Sequence, residues 1–152
     1  MVEAVRKIVS RSGVVIPKGG KWWLSHHYGF DKFHVWGAAI YEWINMEYAK
    51  KILVMLPKQT HPMHHHKKKA ETFLVLWGSM FVTRIPAWAE EKQVIRLGVG
   101  ESIHLNVADR HEFYSPWGAV FEELSTREYP GDSYYDDTGI NERNEDRKTF
   151  IP

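Results

Sequence analysis

Cysteine is absent from all 152 residues, which excludes disulfide frameworks, thiolate zinc sites, iron–sulfur clusters and cysteine nucleophiles together. Histidine and carboxylate are then the strong metal ligands this chain possesses. No charge sign dominates: 20 Lys and Arg stand against 19 Asp and Glu, a formal net charge of +1. No long-range field therefore draws the protein to nucleic acid or to an anionic membrane surface. Long apolar runs are also missing, since none approaches the roughly 20 residues that span a bilayer. The opening MVEAVRKIVSRSG has neither the apolar block nor the small-residue cleavage site of a signal peptide. These absences predict a cytoplasmic protein with no nucleic-acid or membrane partner. What is plentiful is apolar (43%) and aromatic (14%) residues, enough for one domain over residues 1–152 with a single core.

The chain opens with Val2, Val5, Ile8 and Val9 at helical spacing. A helix that short is marginal alone, so residues 1–12 are expected as a flanking helix docked on the core. From Gly13 onward short β-branched and aromatic runs alternate with turn signals, PKGG at 17–20, YGFD at 28–31, LPKQTHP at 56–62 and YPGD at 129–132. Strands are predicted at 13–16, 34–41, 51–56, 72–76, 80–85, 93–97, 102–105, 111–115 and 119–125. The stretch 43–50 reads equally as one or two helical turns. Many short strands with little helix argue for an all-β sandwich or barrel. The polar residues 136–152 are expected to form a surface arm. Trp36, Trp77 and Trp117 are expected in the core, and an unpaired sheet edge with a docking N-terminal segment suggests a homodimer.

The chemistry gathers in HPMHHHKKKAETFLVLWG at 61–78. On a strand, residues two apart share a face, so His64 and His66 can reach one ion while His65 points away. Glu71 opens the returning strand and can add an oxygen. Farther on, His111 begins another strand among apolar neighbours. Three neutral imidazoles and one carboxylate leave open positions on a six-coordinate divalent ion, as a catalytic site requires. A solvated polar tract is the bland alternative for the histidine-rich run by itself.

These residues resemble the cupin superfamily, whose first motif, G-x5-H-x-H-x(3,4)-E-x6-G, is met by His64, His66, Glu71 and Gly78, with Lys58 in place of the leading glycine. In the second motif, G-x5-P-x-G-x2-H-x3-N, Gly100 and His111 stand at the right separation, while Asn106, Ala108 and Ser115 replace Pro, Gly and Asn. The resemblance implies a double-stranded β-helix, or jelly-roll barrel, holding Mn²⁺ or another divalent ion such as Co²⁺, Fe²⁺, Zn²⁺ or Ni²⁺. Within the cupins, SHHYGFDKF at 25–33, the histidine block, GAVFEELSTREYPGDSYYDD at 118–137 and RKT at 147–149 are similar to cupin-type D-lyxose isomerases. They are similar also to the cupin domain fused to some N-acetylneuraminate synthases. The first relative implies an enzyme interconverting D-lyxose with D-xylulose, often also D-mannose with D-fructose, and preferring Mn²⁺. The second implies a non-catalytic sugar-binding or regulatory module.

Aldose–ketose isomerisation needs a base, an electrophile for the developing oxyanion and a path for the oxygen-bound proton. Glu122 and Glu123 are consecutive on a predicted strand, so only one faces the barrel interior. Glu123 is chosen because its place in the E-L-S-T block matches the isomerases' catalytic glutamate; Glu122 then points outward with Leu124. Lys69, in K-x-E with Glu71, resembles the isomerases' active-site lysine, with a solvated side chain as its competing reading and the default for Lys67 and Lys68. Asp132 and Tyr134 are candidates for contacts to sugar hydroxyls, against a plain turn in which Asp132 makes an Asx hydrogen bond. His26, His27, His34, His61 and His104 are read as framework. A cupin oxygenase on Fe²⁺ would leave Lys69, Glu123 and GDSYYDD unexplained. A phosphosugar substrate is disfavoured because no arginine cluster or glycine loop at a helix N-terminus is present to hold phosphate.

Overall fold

The structure, a computed structural model, describes residues 1–143 and 146–152. Helix α1, Val2–Ser12, ends at Gly13, whose left-handed φ of 66° is the usual helix stop. Twelve strands follow: β1 Lys21–His26, β2 Gly37–Asn45, β3 Tyr48–Met55, β4 Gln59–His65, β5 Glu71–Gly78, β6 Met80–Ile85, β7 Gln93–Leu97, β8 Ser102–Leu105, β9 Arg110–Ser115, β10 Ala119–Thr126, β11 Tyr134–Tyr135 and β12 Lys148–Ile151. A five-residue helix α2, Thr138–Glu142, precedes β12. The strands form a seven-stranded sheet in the order β12-β1-β2-β3-β10-β5-β8 and a five-stranded sheet in the order β11-β4-β9-β6-β7. Among the described residues no helix is long and apolar enough to cross a membrane.

Both faces of the larger sheet are covered, and the sequence shows why. Ile52–Met55 of β3 and Ala119–Phe121 of β10 are unbroken apolar runs, and successive side chains go to opposite faces. Leu53, Met55, Ala119 and Phe121 join Phe73 of β5 and Met80, Val82 and Phe113 of the smaller sheet in a core between the sheets. Val54 and Val120 face the other way, onto Val5 and Ile8 of α1 together with Leu24, Tyr41 and Ile52. Burial of α1 along Val5 and Ile8 supplies the packing that a helix of 11 residues needs. Phe73, Phe113 and Phe121 meet with centroids 4.6–5.8 Å apart and fill the barrel beneath the site.

Several expectations are corrected. Residues 13–16 form no strand; Val14 and Ile16 pack on the outer core without a backbone partner. The ambiguous stretch 43–50 is the end of β2, a turn at Met46–Glu47 and the start of β3, not a helix. LPKQTHP turns only at Pro57–Lys58 and then becomes β4; Pro62 fits a strand because it lies where the β4–β9 register shifts between His61 and His64, as a bulge allows. Trp117 sits in the β9–β10 turn and is 77% exposed, so it is not core. The tail is not a free surface arm: Ile140 is fully buried, and β12 pairs with β1 over four residues, although residues 144 and 145 lie outside the described part.

Among the described residues, Lys58 and Ala108 are the two non-glycine residues with left-handed backbone, at φ 64° and 69°. They occupy two of the four positions where the cupin motifs carry glycine; Gly78 and Gly100 hold the others. The turns have survived the loss of their glycines, with the strain a Cβ brings to that region.

Candidate metal centre and its pocket

The metal candidates come from adjacent strands of the smaller sheet. Cross-strand pairing sets His64 of β4 directly opposite His111 of β9, and His66 follows one residue beyond the end of β4 on the same face as His64. Their ligand nitrogens lie within 4.8 Å of one another, and all three side chains are buried. His65, one residue out of phase, faces outward and stacks on Tyr134. Each Nδ1–H donates to a backbone carbonyl: His64 to Pro62 at 2.8 Å, His66 to Asp132 at 2.8 Å and His111 to Asp109 at 2.9 Å. A carbonyl only accepts, so these contacts fix the tautomer and leave every Nε2 lone pair turned to the shared space.

Glu71, first residue of β5, completes the group from the opposite sheet. Its Oε1 lies 3.3 Å from His66 Nε2 and its Oε2 3.2 Å from His111 Nε2. The Oε2 and the His111 Nε2 are buried, and neither has a hydrogen-bond partner despite that proximity. Two electron-pair donors side by side, with no proton between them in hydrogen-bond geometry, suit a cation better than each other. Three imidazole nitrogens and a carboxylate oxygen are a donor set for Mn²⁺, Fe²⁺, Co²⁺, Ni²⁺ or Zn²⁺. Burial, with the neighbouring imidazoles, holds the His64 pKa well below its ordinary value, so it stays neutral and able to ligate.

Beside this group runs a buried lattice of charges. The Lys69 ammonium lies 2.9 Å from Glu71 Oε1, 2.9 Å from Glu123 Oε1 and 3.8 Å from Glu128 Oε1. Burial works against that charge, but Glu123, then Glu71 and Glu128, outweigh it and hold the ammonium well above lysine's usual pKa. Burial would raise the Glu71 carboxyl; Lys69 and His66 more than offset this and hold it well below the carboxylate range. Lys51, directly across from Glu123 in the β3–β10 register, approaches it to 3.8 Å and forms a close ion pair with Glu128. Burial raises the Glu128 carboxyl, yet Lys51 and Lys69 bring it down to about 2. Glu122 lies on the other face, paired with Lys50 at 3.2 Å. Lys67 and Lys68 are exposed.

One cavity of about 460 Å³ joins these groups; its lining includes His64, His66, Glu71, Lys69 and Glu123, with Phe73 and Phe113 at its apolar side. Asp132 and Tyr134, the candidates for sugar contacts, are not among the residues that line it. The Asp132 carboxylate is buried and accepts the backbone N–H groups of Lys67 and Lys68 at 3.0 and 3.1 Å. Tyr134 packs outside, between His65 and the Lys67 ammonium. Their neighbours Ser133 and Tyr135 face the cavity instead. Tyr135 OH meets His27 Nε2 at 3.1 Å and accepts from Arg147 at 3.2 Å. His61 also lines the cavity, its ring 4.7 Å from that of His64, with its pKa lowered to about 3, chiefly by burial.

Sequence reasoning missed Trp23, Lys51, Glu128, Tyr135 and Arg147 as cavity residues. For Tyr135 and Arg147 a signal existed, since both stand in the blocks shared with the D-lyxose isomerases. Glu128 stands in the same 118–137 block as Tyr135; for Lys51 there was no signal, since a charged residue at a strand end reads as solvated until its partner is placed.

The fold is that of the cupins, two antiparallel sheets closed around a histidine-lined cavity. Residues 23–94, a little under half of the chain, match the family model of D-lyxose isomerase. No curated protein sequence matches. Among solved structures, the chain resembles L-ribose isomerase of Acinetobacter sp. DL28, seen with L-ribose, at a TM-score of 0.66 and 17% identity over 82% of this chain and 79% of that one. It is also similar to the capsular polysaccharide assembling protein CapF of Staphylococcus aureus (TM-score 0.58, 19% identity, 64% of this chain and 29% of that one). Oxalate decarboxylase of Bacillus subtilis is a further likeness (TM-score 0.60, 17% identity, 66% and 28%). The chain thus spans less than a third of the length of these last two proteins.

Proposed function

We propose that this protein is a metal-dependent aldose–ketose isomerase acting on a free monosaccharide, with D-lyxose and D-mannose the first sugars to test. The observation that carries the reading is a converged three-histidine donor set, two of whose members, His64 and His66, line one cavity with a carboxylate that is not part of the set. Glu123 sits there, held by Lys69 at 2.9 Å. The match of residues 23–94 to the D-lyxose isomerase model and the likeness to L-ribose isomerase support the same class.

His64, His66, His111 and Glu71 would hold the ion. When bound, a divalent ion supplies an electrophile for the sugar's carbonyl and neighbouring hydroxyl oxygens. Glu123 takes the proton from C2 of the open-chain aldose and returns it to C1, while the hydroxyl proton passes from O2 to O1, giving the ketose. Lys69, kept cationic by three carboxylates, orients Glu123 and offers a donor to the oxygen on which negative charge develops. Phe73 and Phe113 exclude water from that side of the cavity, which strengthens each of these contacts.

The test is metal-stripped protein reloaded with Mn²⁺, incubated with D-lyxose and D-mannose and assayed for ketose by chromatography, with His111→Ala in parallel. Ketose from wild type, lost in the variant, is expected. No ketose from protein shown to contain metal would overturn the proposal in favour of a sugar-binding module.

A further inference from the structure

Behind two of the three histidines stand buried aspartates whose carboxylates never reach the cavity. Asp109, 1% exposed, accepts Arg84 Nε at 3.1 Å, Asn106 N at 3.0 Å and Ala87 N at 3.0 Å. Its own carbonyl receives the His111 Nδ1–H. Asp132, 5% exposed, uses both carboxylate oxygens on the backbone of Lys67 and Lys68, and its carbonyl receives the His66 Nδ1–H. In each case one residue supplies the acceptor for a ligand imidazole and, through its side chain, ties that acceptor to a second loop. His64 differs, because its acceptor is Pro62 within β4, two residues back and held between His61 and His64, which are both paired with β9.

We infer that Asp109 and Asp132 are positioning residues of the metal centre, each clamping the carbonyl that keeps one ligand imidazole in its Nδ1–H form and aimed at the ion. The inference rests on the metal-centre reading above. Its physical basis is that an imidazole is a rigid ring held at two points: the carbonyl behind it sets both which nitrogen carries the proton and where the opposite lone pair points. Asp109 precedes β9 and Asp132 lies between β10 and β11, in loops rather than between two paired residues of one strand as Pro62 is, so their carbonyls need an outside anchor. A charged carboxylate accepting two or more buried N–H groups is a strong one. Asp132 gains a second consequence from its place. It is flanked by Gly131 and Ser133, which line the cavity, so the wall of the pocket and the aim of His66 are tied through one residue.

Asp132→Asn keeps the carbonyl and the side-chain volume but replaces one acceptor oxygen with an amide that faces an N–H. Arg84→Met removes the guanidinium that meets Asp109 through Nε at 3.1 Å and a terminal nitrogen at 2.7 Å, and substitutes none of the candidate ligands. Mn²⁺ and Zn²⁺ affinities are measured by calorimetry on stripped protein, with circular dichroism and melting to check the fold. Loss of affinity by about 10- to 100-fold is expected for Asp132→Asn, the range found when the support of a ligand histidine is removed, and a smaller loss for Arg84→Met. Nitrogen-15 spectra of the metal-free variants should show the imidazole of His66, or for Arg84→Met of His111, leaving the pure Nδ1–H form, a change that general destabilisation of a folded protein does not produce. Folded variants that bind both ions as wild type does, with unshifted imidazoles, would overturn the inference alone. Wild-type protein that takes up neither ion would overturn the metal centre with it.

Discussion

The division of labour among carboxylates is decided residue by residue. Glu71 touches two ligand histidines, Glu123 touches Lys69 and Lys51, and Glu122 is paired on the opposite face with Lys50. Glu123 lines the cavity outside the donor set, as Glu42 and Glu128 also do, but it lies 2.9 Å from the Lys69 ammonium against 3.8 Å for Glu128. Glu123→Gln keeps shape and hydrogen-bonding reach but removes the base, so turnover should fall by about 10²–10⁴-fold, the usual contribution of a positioned acid–base group, with metal content unchanged. Steady-state kinetics with metal analysis checks both halves. The left-handed Lys58 and Ala108 allow a prediction in the other direction. Glycine removes the Cβ clash at φ 64° or 69° at some cost in chain entropy. Ala108→Gly and Lys58→Gly should each stabilise by about 0.5–1 kcal/mol, read as a higher urea midpoint with an unchanged slope. At this scale the sequence was informative about residue type and spacing, as with His64, His66, Glu71 and His111. It was uninformative about Asp132, whose side chain was read toward the sugar and is in fact spent on the Lys67–Lys68 backbone.

At the scale of elements, alternation and close approach do the sorting. Strand β11 is two residues long, yet its pairing with β4 sends Tyr135 inward and Tyr134 outward. Tyr135→Phe removes the hydroxyl between His27 and Arg147 and should cost about 1–2 kcal/mol, whereas Tyr134→Phe should be nearly neutral by thermal unfolding. At the β5–β6 turn, Gly78 has φ 77°, and a Cβ there would stand 2.2 Å from the Gly118 carbonyl oxygen. Backbone cannot yield as a flexible side chain can. Gly78→Ala should therefore destabilise by more than about 2 kcal/mol, and more than Gly100→Ala, whose Cβ would meet nothing within 4 Å. Strands β6, β7 and β8 were legible to the residue from their β-branched runs. Strand β1 was not, because KWWLSH carries no alternation of polar and apolar residues, and β4 was hidden by a proline that only its bulge makes acceptable.

Across the whole molecule the buried charges set the response to pH. His61, lowered to about 3 from 6.5, and His64, lowered well below 6.5, are held neutral in the folded protein chiefly by burial, so between those limits the unfolded chain binds more protons. Their contribution to stability is complete above about pH 6.5 and is lost as pH falls toward 3. Glu128, brought down to about 2 from 4.5, adds a contribution present above 4.5 and lost toward 2. All three act in one direction, opposed by the Glu42 and Glu112 carboxyls, which burial raises, so the urea midpoint of metal-free protein should be lower at pH 4 than at pH 7. A bound divalent ion should oppose unfolding at neutral pH by about 2.7 kcal/mol at a hundredfold excess over its Kd. That gain should vanish in His111→Ala, as thermal shift with and without Mn²⁺ would show.

From the amino-acid sequence alone came the all-β class, the docked N-terminal helix and the metal-ligand candidates, because periodicity, turn chemistry and ligand spacing are local properties that a chain carries wherever it folds. The tertiary structure decided which charges are buried together. Lys51, Lys69, Glu123 and Glu128 lie on separate segments, and each is an ordinary surface residue until β3 and β10 pair and the barrel closes over them. It also decided that residues 146–152 are wall rather than arm, since β12 finds β1 more than 100 positions away, and Arg147 reaches the Tyr135 hydroxyl, only once the sheet is assembled. Burial, desolvation and the pairing of distant charges are properties of the closed fold, and the chemistry of this cavity depends on all three.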